Sequence, residues 1–165
     1  KEALLDKPRL LYVGRLKIEK GIFSLIEIIE AMDIDVELSI VGKPKSLKLH
    51  NKKINYIGYE NNADALRKIY DGHNIFILPS FTESHPQALD ESLARKRPVI
   101  LFEEISHVIQ NRHGIFVSKR NARSLIQTIE FIMNNYSNIQ VVMEKNKLPT
   151  KHKFISQMTN ILSQN

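Results

Sequence analysis

Two acids and two cations in this chain have types and spacing that could do chemistry. Glu83 and Glu91 stand eight positions apart in FTESHPQALDE, with Pro86 between them. Upstream, VGRLKIEKG carries Arg15 and Lys20 between Gly14 and Gly21. A helix beginning near Gly21 would present free N–H groups and a positive dipole end, and two cations beside it would make a phosphate site. In the second stretch Ser84 is placed as an N-cap with Gln87 as its capping-box partner, and Pro86 suits a first turn. Glu83 then sits just outside that helix, at the mouth of the preceding strand, and Glu91 about two turns in. Gln87 and Glu91 share a face, while Leu89, Leu93 and Ala94 suit the buried side. Both glutamates can thus face one cleft, and the N–H groups near Gln87 and Ala88 can receive a phosphate oxygen. Spacing alone leaves a second reading open: a turn glycine with solvated cations, and two surface acids.

The elements that must position these residues follow from hydrophobic periodicity. Apolar runs at 9–13, 36–41, 54–57, 74–78, 98–102 and 114–117 read as strands. Residues 22–32 place apolar groups at 22, 25, 26, 29 and 32, which is helical spacing. Further helices are expected at 62–70, 86–95 and 122–134, with one or two more in the last thirty residues, broken near Pro149. The strands are not half-polar, so both faces of the sheet are covered. Alternation with helices then predicts an α/β, Rossmann-like doubly wound parallel sheet of about six strands. Ligands in such sheets sit beyond the carboxyl ends of the strands, where both motifs lie.

Composition narrows the class. The chain has 165 residues, 42% of them hydrophobic, and no cysteine. That suits one domain, residues 1–165, with its own core, and removes disulfides, thiolate metal sites and cysteine nucleophiles. No apolar run approaches the ~20 residues of a membrane span, no signal peptide is visible, and the missing initiator Met points to an excised fragment. The net charge of +6 favours anionic partners. The basic residues, including Arg95, Lys96 and Arg97, are spread without dense blocks, which suits solvated side chains, and no nucleic-acid motif is present. His50, His73, His107, His113 and His152 lack metal-ligand spacing. Neither a G-x-G-x-x-G nor a P-loop nor a G-x-S-x-G elbow occurs.

Taken in order, VGRLKIEKG, LSIVG, INYIGY, NIFILPSFTESHPQALDESLA, RPVI and GIFV resemble the C-terminal, donor-binding domain of retaining glycosyltransferases of the GT-B fold, group-1 (family-4) type. The likeness covers roughly residues 9–135, and Glu83 and Glu91 match the family's E-x7-E signature. The resemblance implies a nucleoside-diphosphate-sugar site (UDP-, GDP- or ADP-sugar) with no metal and no cofactor. Arg15 and Lys20 would grip the diphosphate, with Gly14 beside them in the donor site, Glu83 would contact the transferred sugar and Glu91 the ribose hydroxyls; Arg15, Lys20 and Glu83 would be the catalytic residues. Backbone amides from Ser84 through His85, Pro86, Gln87 and Ala88 would reach sugar and phosphate. Gly58 and Tyr59 would frame the base, with Leu66 lining that pocket. It implies half of a two-domain enzyme, with a glycan or lipid acceptor bound by a missing N-terminal domain and the fragment inactive alone. The whole protein would be cytoplasmic, peripheral to the inner face of a membrane, and would bind no nucleic acid. The chain departs from the family at Lys96, where a glycine is usual, at His85, where an aromatic is common, and in FEEISHVIQNRHG, which has no glycine before Gly114. A non-catalytic Rossmann-like module that binds anions or nucleotides is the alternative.

Overall fold

The computed structural model describes residues 2–43 and 51–148. Six strands form one sheet: β1 (Arg9–Val13), β2 (Glu37–Val41), β3 (Ile54–Gly58), β4 (Ile75–Leu78), β5 (Val99–Phe102) and β6 (Ile115–Ser118). Their order is β3-β2-β1-β4-β5-β6, with every neighbouring pair parallel. This is the doubly wound order, in which successive crossovers run outward from the centre in both directions. The order reverses between β1 and β4, and a crevice opens there beyond the strand ends.

The helices are α1 (Ile22–Glu30), α2 (Ala63–Gly72), α3 (Gln87–Ala94), α4 (Ala122–Asn134) and α5 (Tyr136–Met143). The buried residues of α1, Ile22, Leu25, Ile26 and Ile29, are the i, i+3, i+4, i+7 stripe the sequence displays. β4 and β5 are buried along their whole length, as strands covered on both faces must be. The edge strand β3 alternates between covered and exposed positions. α2 and α4 start at asparagine caps. Asn62 accepts from the amides of Asp64 and Ala65, and Asn121 from that of Ser124.

Strand and helix assignments agree with the sequence to within one or two residues. Two short 3-10 stretches, Ile18–Lys20 and Glu103–Ile109, were not expected. The break near Pro149 and any helix after it lie outside the described residues. The capping expectation for α3 is corrected. Its N-cap position is Pro86, at φ −77° and ψ 104°, with no side-chain cap, and Ser84 lies two residues earlier, exposed. The proline is the reason: it disfavours helical geometry at His85, so the helix cannot begin at Ser84. Ser92, rather than Ala94, joins Leu89 and Leu93 on the buried face.

Two of the expected surface cations are also corrected. Arg97 is 1% exposed, and its guanidinium donates to the carbonyls of Tyr70, Arg95 and Asp71. Arg95 makes two hydrogen bonds to the Asp71 carboxylate, 2.8 and 2.5 Å. These contacts fasten α3 to the C-terminal end of α2, where carbonyls lack helical partners and attract cations. At the foot of the sheet the buried Asn74 bonds to Arg9, Leu4 and Lys7, and its carbonyl accepts from Tyr136 of α5.

Candidate functional site

The site is built by two loops that leave adjacent central strands. After β1 the chain is pinned to β2: Gly14 donates to Val41 O at 2.9 Å and Leu16 to Lys43 O at 3.0 Å. The Tyr12 hydroxyl donates to Arg15 O at 2.7 Å. The loop then tightens into the 3-10 turn that ends at Lys20 and is closed by Gly21, at φ +67°. A side chain at Gly21 would place its Cβ 1.9 Å from Pro79 O, so this position needs both the left-handed backbone and the bare Cα. From β4, Phe81 N donates to Glu19 O at 3.0 Å and joins the two loops through the backbone.

That junction brings Lys20 to Glu83. Lys20 Nζ and the Ser80 hydroxyl each donate to Glu83 Oε1 at 2.7 Å. The two charged side chains are only 21% and 10% exposed. His107 Nε2 donates to the Glu83 carbonyl at 2.8 Å. Burial pushes the Tyr12 phenol above its ordinary pKa, and the nearby Glu83 charge adds to that.

A cavity of about 300 Å³ opens over these residues. Gly14, Arg15, Lys20 and Glu83 line it with His85, Pro86, Gln87 and Ala88, so eight expected site residues meet in one place. Pro86 contributes no N–H, which restricts the amide donors of this stretch to its neighbours. The first N–H groups of α3, at Gln87 and Ala88, have no intrahelical partner and belong to the helix's positive end. The His85 ring lies 3.5 Å from Asp90, whose other oxygen holds Arg112 at 2.5 Å.

Of the remaining expected residues, Tyr59, Leu66 and Glu91 line two other hollows. Tyr59 lines an apolar one of about 220 Å³ that shares Val13, Gly14 and Arg15 with the first, and Lys43 Nζ sits 4.2 Å above its ring. Gly58 is at φ +96° where β3 ends, and its carbonyl accepts from Gly42 N. Leu66 was expected beside Tyr59. It lies instead with Glu91 in a groove of about 320 Å³ between α2 and α3. There the buried Tyr70 hydroxyl donates to Glu91 Oε2 at 2.9 Å. Glu83 and Glu91 therefore do not line the same hollow. Ser84 and Gly58 line none of the three.

Sequence reasoning missed Ser80, Tyr12, Tyr70 and Arg120, which touch or support this site. Ser80 and Tyr12 stand next to motif residues and could have been flagged. Tyr70 and Arg120 reach the site only through the fold. Among the described residues no group of three or more His, Asp or Glu is placed to hold a metal ion, and no helix is long and apolar enough to cross a membrane.

Fold and site define a class: a Rossmann-like α/β domain with a cavity that carries Arg15, Lys20 and Glu83 at the switch point of its sheet. Known proteins supply the family. The model of the group 1 glycosyl transferases matches residues 7–135, and the chain belongs to that family. It is similar to TuaC of Bacillus subtilis, named for teichuronic acid biosynthesis, at 28% identity over 127 residues, 76% of this chain and 33% of that protein. It is similar to the capsular polysaccharide biosynthesis glycosyltransferase CapM of Staphylococcus aureus at 26% identity, over 89% of this chain and 42% of that one. The chain thus spans less than half the length of these relatives. Among solved structures, a sucrose-phosphate synthase of Thermosynechococcus elongatus superposes with a TM-score of 0.76 at 19% identity, covering 98% of this chain and 46% of the other. Anabaena HepE in complex with UDP and glucose superposes at 0.73 and 14% identity, covering 95% of this chain and 48% of that one. At such identities the likeness is one of fold: the Rossmann-like half of a GT-B glycosyltransferase.

Proposed function

We propose that this chain binds the nucleoside-diphosphate-sugar donor of a retaining glycosyltransferase. One observation carries the reading: Arg15, Lys20, Glu83 and the start of α3 converge on a single cavity beyond the ends of β1 and β4. Lys20, Arg15 and the amides of Gln87 and Ala88 receive the diphosphate. Glu83 accepts hydrogen bonds from hydroxyls of the transferred sugar, and Glu91 from those of the ribose. Tyr59 flanks the base. The separate hollow of Glu91 suits this division, because ribose and hexose lie on opposite sides of the diphosphate.

The residue types fit the chemistry. When the anomeric C–O bond to the β-phosphate breaks, negative charge gathers on the departing oxygen, where Lys20, Arg15 and the α3 dipole stabilise it. That oxygen takes the acceptor's proton as the new C–O bond forms on the same face, so no side-chain nucleophile is needed. Lys20 is paired with Glu83 at 2.7 Å. Donor binding is then a partner exchange, with Lys20 turning to phosphate and Glu83 released to the sugar. The acceptor, a glycan or lipid, is held by a further domain of the whole protein, which works in the cytoplasm at the inner face of a membrane.

Thermal unfolding with UDP, GDP and ADP tests the reading and identifies the base. Ligand at 100 times its dissociation constant adds about 2.7 kcal/mol to stability. One of the three nucleotides is expected to raise the midpoint. No shift with any of them at millimolar concentration, with calorimetry also silent, would remove the donor assignment.

A further inference from the structure

Arg120, in the loop between β6 and α4, lies outside the donor cavity. Its guanidinium carbon lies over two rings, 4.0 Å from the centroid of Phe81 and 4.3 Å from that of Phe102. Nε donates to Glu104 Oε1 at 2.7 Å, and Nη2 to the Ser80 carbonyl at 3.3 Å. Nη1 is buried without a hydrogen-bond partner. It lies so close to Gly21 that a Cβ there would come within 3.2 Å of it. An unpaired buried donor is costly, so the contacts on the other sides of this group must hold it in place.

Two of those contacts, Ser80 and Phe81, lie on the loop that follows β4; Phe102 ends β5 and Glu104 begins the 3-10 stretch after it. Ser80 receives Nη2 on its carbonyl and gives its hydroxyl to Glu83. Phe81 covers the guanidinium and gives its amide to Glu19, next to Lys20. Glu104, the ion-pair partner of Arg120, belongs to the same 3-10 stretch as His107, which holds the Glu83 carbonyl. We propose that Arg120 is a positioning residue: it clamps the Ser80–Glu83 loop against the β1–α1 loop and so fixes where Glu83 meets the transferred sugar. The role rests on the donor reading above for its consequence, but not for the clamp itself. A planar guanidinium is required, because it offers two stacking faces and a fork of donors at once, which a lysine ammonium does not.

Two measurements on the chain test this. Amide hydrogen exchange read by NMR needs no ligand. Arg120→Met and Arg120→Lys are each expected to speed exchange at Phe81 about tenfold more than at Leu11 in the central strand, since loosening is local rather than global. Calorimetry with three matched pairs, UDP and UDP-glucose, GDP and GDP-mannose, ADP and ADP-glucose, reads the consequence. For the pair that binds, either substitution is expected to raise the Kd of the nucleotide sugar about tenfold, the effect of one charged hydrogen bond loosened, and that of the diphosphate no more than about twofold. Phe81 exchange that merely tracks Leu11, or equal weakening of both ligands, would reduce Arg120 to an ordinary structural residue. Full recovery in Arg120→Lys would show that charge alone suffices and overturn the stacked clamp. If the unsubstituted chain binds none of the six nucleotides, the donor reading fails, and the exchange ratio alone decides whether Arg120 holds the loop.

Discussion

Lys20 and Glu91 carry opposite charges and are expected to respond to substitution in ways that charge alone does not predict. Lys20→Ala removes a charged hydrogen bond to phosphate. It should weaken the nucleoside diphosphate by roughly 1.5–3 kcal/mol and leave the nucleoside nearly unchanged. Glu91→Ala should weaken both ligands by a similar factor, because each carries the ribose. A bare charge argument gives the reverse: deleting an acid near a diphosphate would tighten it. Calorimetry with both variants and both ligands separates the two, and tighter diphosphate binding by Glu91→Ala would end the ribose assignment. Gly21 is the other decisive single position. Gly21→Ala demands a left-handed alanine and drives a Cβ onto Pro79 O. It should cost at least about 2 kcal/mol, measured as a lower urea midpoint at unchanged m-value.

The C-terminus of α3 shows how an element keeps its geometry when its residue changes. Lys96 stands at φ +53°. Its N–H reaches Leu93 O at 2.9 Å, and the next N–H, of Arg97, reaches Ser92 O at 3.0 Å. That pair of bonds is a Schellman motif, which glycine usually closes. The glycine is missing but the left-handed turn is not. It persists because Arg97, one residue on, is locked into the end of α2. Lys96 also pairs with Glu144 of the segment after α5, both side chains being largely exposed. An exposed pair contributes little, while the left-handed lysine is strained by about 1 kcal/mol. Lys96→Gly is therefore expected to raise stability by roughly 0.5–1 kcal/mol. A lower urea midpoint in that variant would mean that the ion pair outweighs the strain. Asn121→Ala, which strips the α4 cap, should cost about 1 kcal/mol in the same assay.

At the scale of the whole molecule, acid sensitivity should trace to the carboxylates that fasten one layer element to another. The Arg95 side chain, and to a lesser degree the charge of Arg97, hold Asp71 below its ordinary pKa, although burial pushes the other way. Arg120 does the same to Glu104. A carboxyl depressed in the folded state adds stability that is fully present above its unfolded pKa, near 4, and is lost as pH falls through the lower folded value. Stability should accordingly be level at neutral pH and decline below about pH 4. Asp71→Asn should lower the plateau and flatten that decline. An unchanged slope in urea titrations across this range would show that the Asp71 bridge is not a source of acid sensitivity.

The six strands and the helices within 9–135 were legible because each carries its own periodicity, and burial on both faces writes itself as unbroken apolar runs such as those at β4 and β5. The pairing of VGRLKIEKG with FTESHPQALDE was legible too, since alternating strands and helices put both loops at the carboxyl ends of a parallel sheet. Three things were not. The start of α3 shifted past Ser84 because Pro86 restricts the residue before it. Glu83 and Glu91 parted, because one faces Lys20 across the strand ends while the other meets Tyr70 between two helices. Arg97 and Arg120, ordinary cations in the chain, became a buried brace and a stacked clamp, with partners many residues distant. By itself the sequence determined which segments form strands and helices and which end of the sheet bears the polar loops, because those follow from local pattern and chain direction. Only the tertiary structure decided which charges meet, because a long flexible side chain carries no local signal of the partner that folding brings to it.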